Sequence, residues 1–144
     1  MIAVDTNLLV YAHREDSPFH NEAYGCIRSL AEGDTDWAIP WPCVHEFLAI
    51  VTHPRIFDPP TPPKRAIEQI EAWIESPHLV LISESGGYLP HLVAAVRKGR
   101  IKGAQVHDAR VAALCRHHGV RELWTADRDF SRFRGLAARN PLVE

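Results

Sequence analysis

Short apolar runs that alternate with longer stretches of helical spacing constrain this chain more than any other feature. The runs are Met1–Val4, Trp37–Pro40, Leu79–Ile82 and Val120–Trp124. Each is too short for a helix and reads as a strand, the first three almost without polar residues and so buried, the fourth interrupted by Arg121 and Glu122. Strands that alternate with helices are joined by crossovers, which makes their sheet mostly parallel and covered on both sides. The expected fold is a three-layer α/β/α sandwich. The 144 residues are enough for a single domain, 1–144, whose core needs no disulfide or structural metal.

The helices between these strands have readable ends. Ser17-Pro18 predicts a start with Ser17 as N-cap, and Gly33 a left-handed C-terminal cap, with Ala23, Cys26, Ile27, Leu30 and Ala31 between them on one face. Pro42 opens a second helix whose buried face is Val44, Phe47, Leu48 and Val51, leaving Glu46 off the stripe. After the stiff loop 58–63, Ile67, Ile70, Trp73 and Ile74 mark a helix that Pro77 stops. Leu89, Leu92, Val93 and Val96 mark another, ended by Gly99. A mostly apolar helix runs from about Val106 to His118 and stops at Gly119, and Leu136-Ala137 could add an edge strand.

With 46% hydrophobic and 24% charged residues, the chain is not a disordered one, and no apolar stretch reaches membrane-spanning length. Its N-terminal run contains Asp5 and Asn7 and does not read as a secretory signal. Cys26, Cys43 and Cys115 are odd in number and far apart, which predicts reduced core thiols and a cytoplasmic protein. The net charge of −2 conceals an asymmetry: residues 1–84 carry five Lys/Arg against thirteen Asp/Glu, and residues 85–144 carry eleven against five. The basic half includes Arg97, Lys98, Arg100 and Lys102, a local positive field of the kind a polyanion follows.

Carboxylates stand where these strands end. The first strand stops at Asp5, and the second leads within a turn or two of helix to Glu46. The fourth is followed by Asp127 and Asp129, and Asp108 opens the apolar helix. In a parallel sheet those positions share one edge, the edge at which open α/β folds bind ligands. Each has an ordinary alternative: Asp5 as an N-cap, Asp108 as a helix-terminus charge, Asp127 and Asp129 as turn formers, Glu46 as a solvated residue. Together they would repel one another and raise one another's pKa. A hard divalent cation, Mg²⁺ or Mn²⁺, removes that penalty and supports in-line displacement at phosphorus. Thr6, Asn7 and Thr125 are placed to orient such carboxylates. The nine histidines show no H-E-x-x-H spacing, so zinc is not expected.

The stretches VDTNLLVYAHREDSPFHNEA, AIPWPCVHEFLAIVTHPRIF, VHDARVAALCRHHGV and ELWTADRDFSRF, in that order, resemble a PIN-domain ribonuclease and, more narrowly, the VapC toxin of VapBC toxin–antitoxin modules. The resemblance implies a Mg²⁺- or Mn²⁺-dependent endoribonuclease that leaves a 5′-phosphate and a 3′-hydroxyl and inhibits translation by cutting tRNA or rRNA. It places the catalytic carboxylates at Asp5, Glu46, Asp108 and Asp127, with Asp5, Asp108 and Asp127 holding metal and Asp129 as an accessory. It further implies a homodimer silenced by a VapB-type antitoxin, which binds promoter DNA while the toxin itself does not. RNA contacts are expected from Arg97, Lys98, Arg100, Lys102, Arg110, Arg128 and Arg132. Two positions depart from the family's pattern. Gly103-Ala104-Gln105 stands where many relatives have Gly-Asn, and Pro42-Cys43 where a Ser or Thr often precedes the mid-chain Glu. Two other readings stay open on the residues alone: a non-catalytic RNA-binding scaffold, and a phosphoryl-accepting domain, although position 7 is Asn rather than the second Asp of that motif.

Overall fold

The computed structural model describes residues 1–143. Its order of elements is β1 (Ile2–Val4), α1 (Thr6–His13), α2 (His20–Glu32), β2 (Trp37–Pro40), α3 (Trp41–Val51), α4 (Pro63–Ile74), β3 (Leu79–Ile82), α5 (Leu89–Gly99), α6 (Val106–His117), β4 (Glu122–Trp124) and β5 (Ala137–Arg139). Single 3₁₀ turns at Gly103–Gln105 and Arg128–Arg132 precede α6 and follow β4. The five strands form one sheet in the order β3-β2-β1-β4-β5, and every pairing is parallel.

That order puts β1 at the centre. Ala3 and Val4 are fully buried, and β1 pairs Ala3 with Ala38 on one side and with Leu123 on the other. From β1 the chain moves outward to β2 and β3, then returns across the sheet to β4. Right-handed crossovers that step in opposite directions place their helices on opposite faces. Accordingly α1 packs on α2 and α3, α3 packs on α4, and α5 pairs with α6. The reversal of direction between β1 and β4 opens a crevice at their carboxyl ends.

The core confirms the apolar runs and corrects several ends. Trp37, Ile39, Phe47, Ile82, Leu114, Leu123 and Phe130 are almost wholly inaccessible, and Val111 to Cys115 of α6 are buried without interruption. β3 is less enclosed than its sequence predicts: it lies at the sheet edge, Val80 is exposed, and only Ile82 is buried. Ser17 does not cap α2. Its hydroxyl donates to the carbonyls of Tyr11 and Arg14, closing the turn after α1, and α2 begins three residues later at His20. Gly33 is extended (φ −79°, ψ 176°) rather than left-handed. At the end of α5 the left-handed residue is Arg100 (φ 53°), one beyond Gly99. Gly119, by contrast, takes the positive φ (72°) that stopping α6 requires. β5 begins at Ala137, one residue after the expected edge strand, and is exposed throughout.

Phe47 anchors the α1–α3–α4 side. Fully buried, its ring meets Trp73 edge-on with centroids 4.9 Å apart and His13 at 5.3 Å. Phe47→Ala is expected to cost about 3–5 kcal/mol, read as a lower urea midpoint with an unchanged m-value. A loss below about 1 kcal/mol would show that this ring is not the anchor.

Candidate functional site

Asp5 follows the last residue of the central strand, and its backbone N–H extends the ladder by donating to Trp124 O at 3.0 Å. It occupies the N-cap position of α1, yet its side chain makes no capping hydrogen bond, so the ordinary reading of this Asp as a helix cap fails. The carboxylate turns instead into the crevice between β1 and β4. There Oδ2 accepts a hydrogen bond from Thr125 Oγ1 at 2.8 Å, and Oδ1 accepts from Cys43 Sγ at 3.5 Å. Only 7% of Asp5 is exposed. Burial raises its pKa and the charge of Asp127 adds to the rise, while the donors Thr125, Thr6 N–H and Cys43 oppose it.

Thr125 is the hub of this arrangement. Its hydroxyl donates to Asp5 and accepts from Asn7 Nδ2 at 3.3 Å and from the Asp127 backbone N–H at 3.0 Å, which uses all of a hydroxyl's hydrogen-bonding capacity. Asn7 Oδ1 in turn accepts from Ala126 N at 3.1 Å. One polar network therefore ties the start of α1 to the turn after β4. Asp127 Oδ1 accepts from Asp129 N at 2.9 Å, so Asp127 is also the turn former that its local sequence suggests. Both readings hold for the same residue.

Three of the carboxylates named from the sequence stand close together. Oxygens of Asp108, Asp127 and Asp129 lie within 4.8 Å of one another. Asp108, in the first turn of α6, has its pKa pushed up to about 6. Burial is the main cause, followed by the charges of Asp127, Asp5, Asp129 and Glu46 in that order. The charges that act on Asp108 thus come from the four other acidic residues named from the sequence. Glu46, on α3, is exposed, and its pKa too is raised, first by burial and then by Asp5, with His107 as an opposing attraction.

The donors suit a hard cation. The group is made of carboxylates alone, the ligand type that Mg²⁺ and Mn²⁺ prefer. Thr6 adds an independent sign. Its buried hydroxyl lies close enough to Glu46 and Cys43 to favour their charged forms, yet Oγ1 completes a hydrogen bond with no group among the described residues. A buried polar atom of this kind points to a water or an ion in the cleft.

Two participants escaped the sequence reading. Cys43, taken for a core thiol, is buried but touches Asp5. The available signal was its position three residues before Glu46 on one helix. Glu84 forms a close ion pair with Arg110, so Arg110 is held by a carboxylate rather than left free for phosphate. Arg97, Lys98, Arg100 and Lys102 are exposed around the turn from α5 to α6, which enters the helix that carries Asp108. Gln105 Oε1 accepts from Lys102 N at 3.4 Å and shapes that turn from within. Arg128 is exposed and Arg132 half-buried in the segment just after Asp127.

Comparison with known proteins agrees with this geometry. The PIN domain family model matches residues 2–136. Ribonuclease VapC48 of Mycobacterium tuberculosis is 34% identical over 137 residues, covering 95% of this chain and 94% of its own. Among solved structures, VapBC2 of Rickettsia felis bound to a promoter DNA fragment superposes with a TM-score of 0.68 at 21% identity, covering 97% of this chain and 98% of that one. VapC20 of Mycobacterium tuberculosis, described as a sarcin–ricin loop cleaving toxin, gives 0.66 at 14% identity over 91% and 93%. The two structural likenesses bear on the fold alone. The family match and the VapC48 identity, both running nearly end to end, carry the assignment: this chain belongs to the PIN-domain family, among the VapC proteins.

Proposed function

We propose that this chain is the toxin of a toxin–antitoxin pair, an endoribonuclease that uses Mg²⁺ or Mn²⁺ bound by Asp5, Asp108 and Asp127. The observation that carries this reading is the close approach of the Asp108, Asp127 and Asp129 carboxylates beside a buried Asp5. A protein gains nothing in stability from such a cluster, so its persistence favours a cationic ligand. When bound, the metal supplies Lewis-acid polarisation of a phosphate and offsets charge on the leaving oxygen.

The chain's own residues do the rest. Thr125 and Cys43 fix the two oxygens of Asp5, so its orientation is set before any ligand arrives. Glu46 is exposed and has a raised pKa, which suits it to take a proton from the attacking water. The water oxygen joins phosphorus and the bond to the 3′-oxygen breaks. That oxygen takes up a proton from solvent while Glu46 returns its own to solvent, so the products are a 3′-hydroxyl and a 5′-phosphate. The basic turn Arg97–Lys102, with Arg128 and Arg132, supplies phosphate contacts that position the RNA.

RNA as substrate is supported by the names of the relatives, which are ribonucleases, and by the RNA target given for VapC20. A VapB-type antitoxin is supported by neighbours solved as toxin–antitoxin complexes. We extend the reading to a homodimer that acts on tRNA or rRNA and so arrests translation, with promoter DNA contacted by the antitoxin. No helix among the described residues is long and apolar enough to cross a membrane.

Asp5→Asn should retain the fold by circular dichroism and abolish Mn²⁺-dependent RNA cleavage. Cleavage at the parental rate would refute the site. Thr125→Val removes the hub hydroxyl without touching a carboxylate and should weaken metal affinity about 10–100-fold, measured by titrating Mn²⁺ against activity. An unchanged titration would mean that the network around Asp5 has no bearing on metal binding. The pH dependence follows from Asp108. Its pKa in the fold is about 6 against an ordinary value of 3.8, so the folded state holds this proton more tightly than the unfolded chain. That stabilisation is complete below the ordinary value and lost as pH rises through the folded one. Metal-free protein should therefore melt higher near about pH 5 than near about pH 7.5. Asp108→Asn should shrink the difference, and Mn²⁺ should raise the melting temperature more at the higher pH. A melting temperature that is indifferent to pH in both proteins would overturn the assignment of Asp108 to a repulsive cluster.

A further inference from the structure

A second cleft lies beside the carboxylates, between α5, α6 and the segment that descends from Arg132 to Leu136. Four cationic side chains line it, Lys98, Arg116, Arg132 and Arg134, over a floor that includes Ala112 and Phe133, and among the described residues no Asp or Glu contributes to its wall. None of the four takes part in an ion pair among the described residues. The concentration of unpaired positive charge is therefore a property of the fold and not only of the composition.

Arg116 reaches into this cleft over a glycine. Gly135 has φ +86°, and a Cβ built there would overlap Arg116 Nη1. The guanidinium thus lies directly against the backbone at a position that only glycine leaves open. The same Nη1 donates to Arg134 O at 3.4 Å. An exposed guanidinium with no ion-pair partner among the described residues suits an anionic ligand from outside the chain.

The cleft and the carboxylate site share two elements, α6 and the chain that follows Asp129. On α6, Asp108, Ala112 and Arg116 succeed one another at four-residue intervals, each about 6 Å of helix, so they share one face. In the chain, Arg132 follows Asp129 by three residues. A strand of nucleic acid whose reacting phosphate lies at Asp108 and Asp127 can leave the site only along a neighbouring surface, and this one carries the complementary charge. We propose that the cleft is a phosphate subsite for the RNA flanking the cleaved bond, with Arg116 as its principal contact and Gly135 as the residue that positions it. The inference rests on the nuclease reading above, and it adds Arg116 and Arg134 to the contacts expected from sequence. An acidic segment of a partner protein is the rival occupant. The helix α6 that the cleft shares with Asp108 favours RNA.

The test is binding without cleavage. A labelled single-stranded oligoribonucleotide is titrated with the full chain in EDTA over a series of salt concentrations. Parent protein, Arg116→Gln, Gly135→Ala and Arg65→Gln are compared, the last lying on α4 away from the cleft, and thermal melts verify that each is folded. For Arg116→Gln, Kd should rise on the order of tenfold at low salt, and the slope of log affinity against log salt should fall by about 0.7, the loss of one phosphate contact on a single strand. Gly135→Ala keeps the charge but displaces it, and should weaken binding in the same direction. Arg65→Gln should bind like the parent. Parental affinity and slope in Arg116→Gln would overturn the subsite and assign the cleft to another anion, and so would equal losses in all three variants. If the parent cleaves RNA with Mn²⁺ while Arg116→Gln binds normally, only the subsite fails. If Arg116→Gln binds weakly but the parent cleaves nothing, the subsite stands and the nuclease reading falls.

Discussion

A carboxylate taken out of water must find hydrogen-bond donors or a positive charge, and Asp5 is the residue on which that requirement falls hardest. It sits at the end of the central strand, almost wholly buried, with no cationic side chain bonded to it. Its oxygens are satisfied by Thr125 and Cys43, one from the neighbouring strand's end and one from α3. The register of β1 against β4, Val4 opposite Trp124, brings Asp5 level with Thr125. A slip of one residue would break this bond and the Asn7 contacts together. The geometry of the site and the pairing of the two strands are thus a single constraint.

The fold also decides where negative charge can collect. Strands β1, β2 and β4 all deliver their carboxyl ends to one edge, and α6 presents its N-terminus there. The partial positive charge of a helix N-terminus favours Asp108, but not enough to cancel burial and four acidic neighbours, since its pKa still climbs. What remains is a local excess of repulsion that the rest of the core must outweigh. Such stored instability at a functional site is a recognised trade against overall stability.

The charge asymmetry between the two halves acquires a spatial meaning in the same architecture. The acidic half supplies α1 to α4, and the basic half supplies α5, α6 and the strands and turns that follow. Not all of that basic charge is available. Arg110 is occupied by Glu84, and Arg139 leans toward Glu122 and the Trp124 ring. The cations around the α5–α6 turn and the cleft beneath it remain directed at solvent.

The apolar runs alone determined that this chain would form a parallel sheet with helices between its strands. Burial by a period-2 or period-3.6 pattern is a local property that neighbours in sequence already encode. Carboxylates after the first and fourth runs, at the start of the helix after the second, and at the opening of the apolar helix made Asp5, Asp127, Glu46 and Asp108 legible as a set, because parallel strands share an edge whatever their order. Helix ends were less legible. Ser17 has an N-cap's chemistry but spends its hydroxyl on the turn after α1, and Gly33 stays extended and does not use its conformational freedom. The strand order itself decided that β3 lies exposed at an edge and that the crevice opens between β1 and β4. Only the tertiary structure placed Cys43 against Asp5, made Thr125 the hub rather than a bystander, bound Arg110 to Glu84 and laid Arg116 over Gly135. Each of these is a contact between residues far apart in the chain, and no local periodicity carries information about which distant partner will fill a given hydrogen bond.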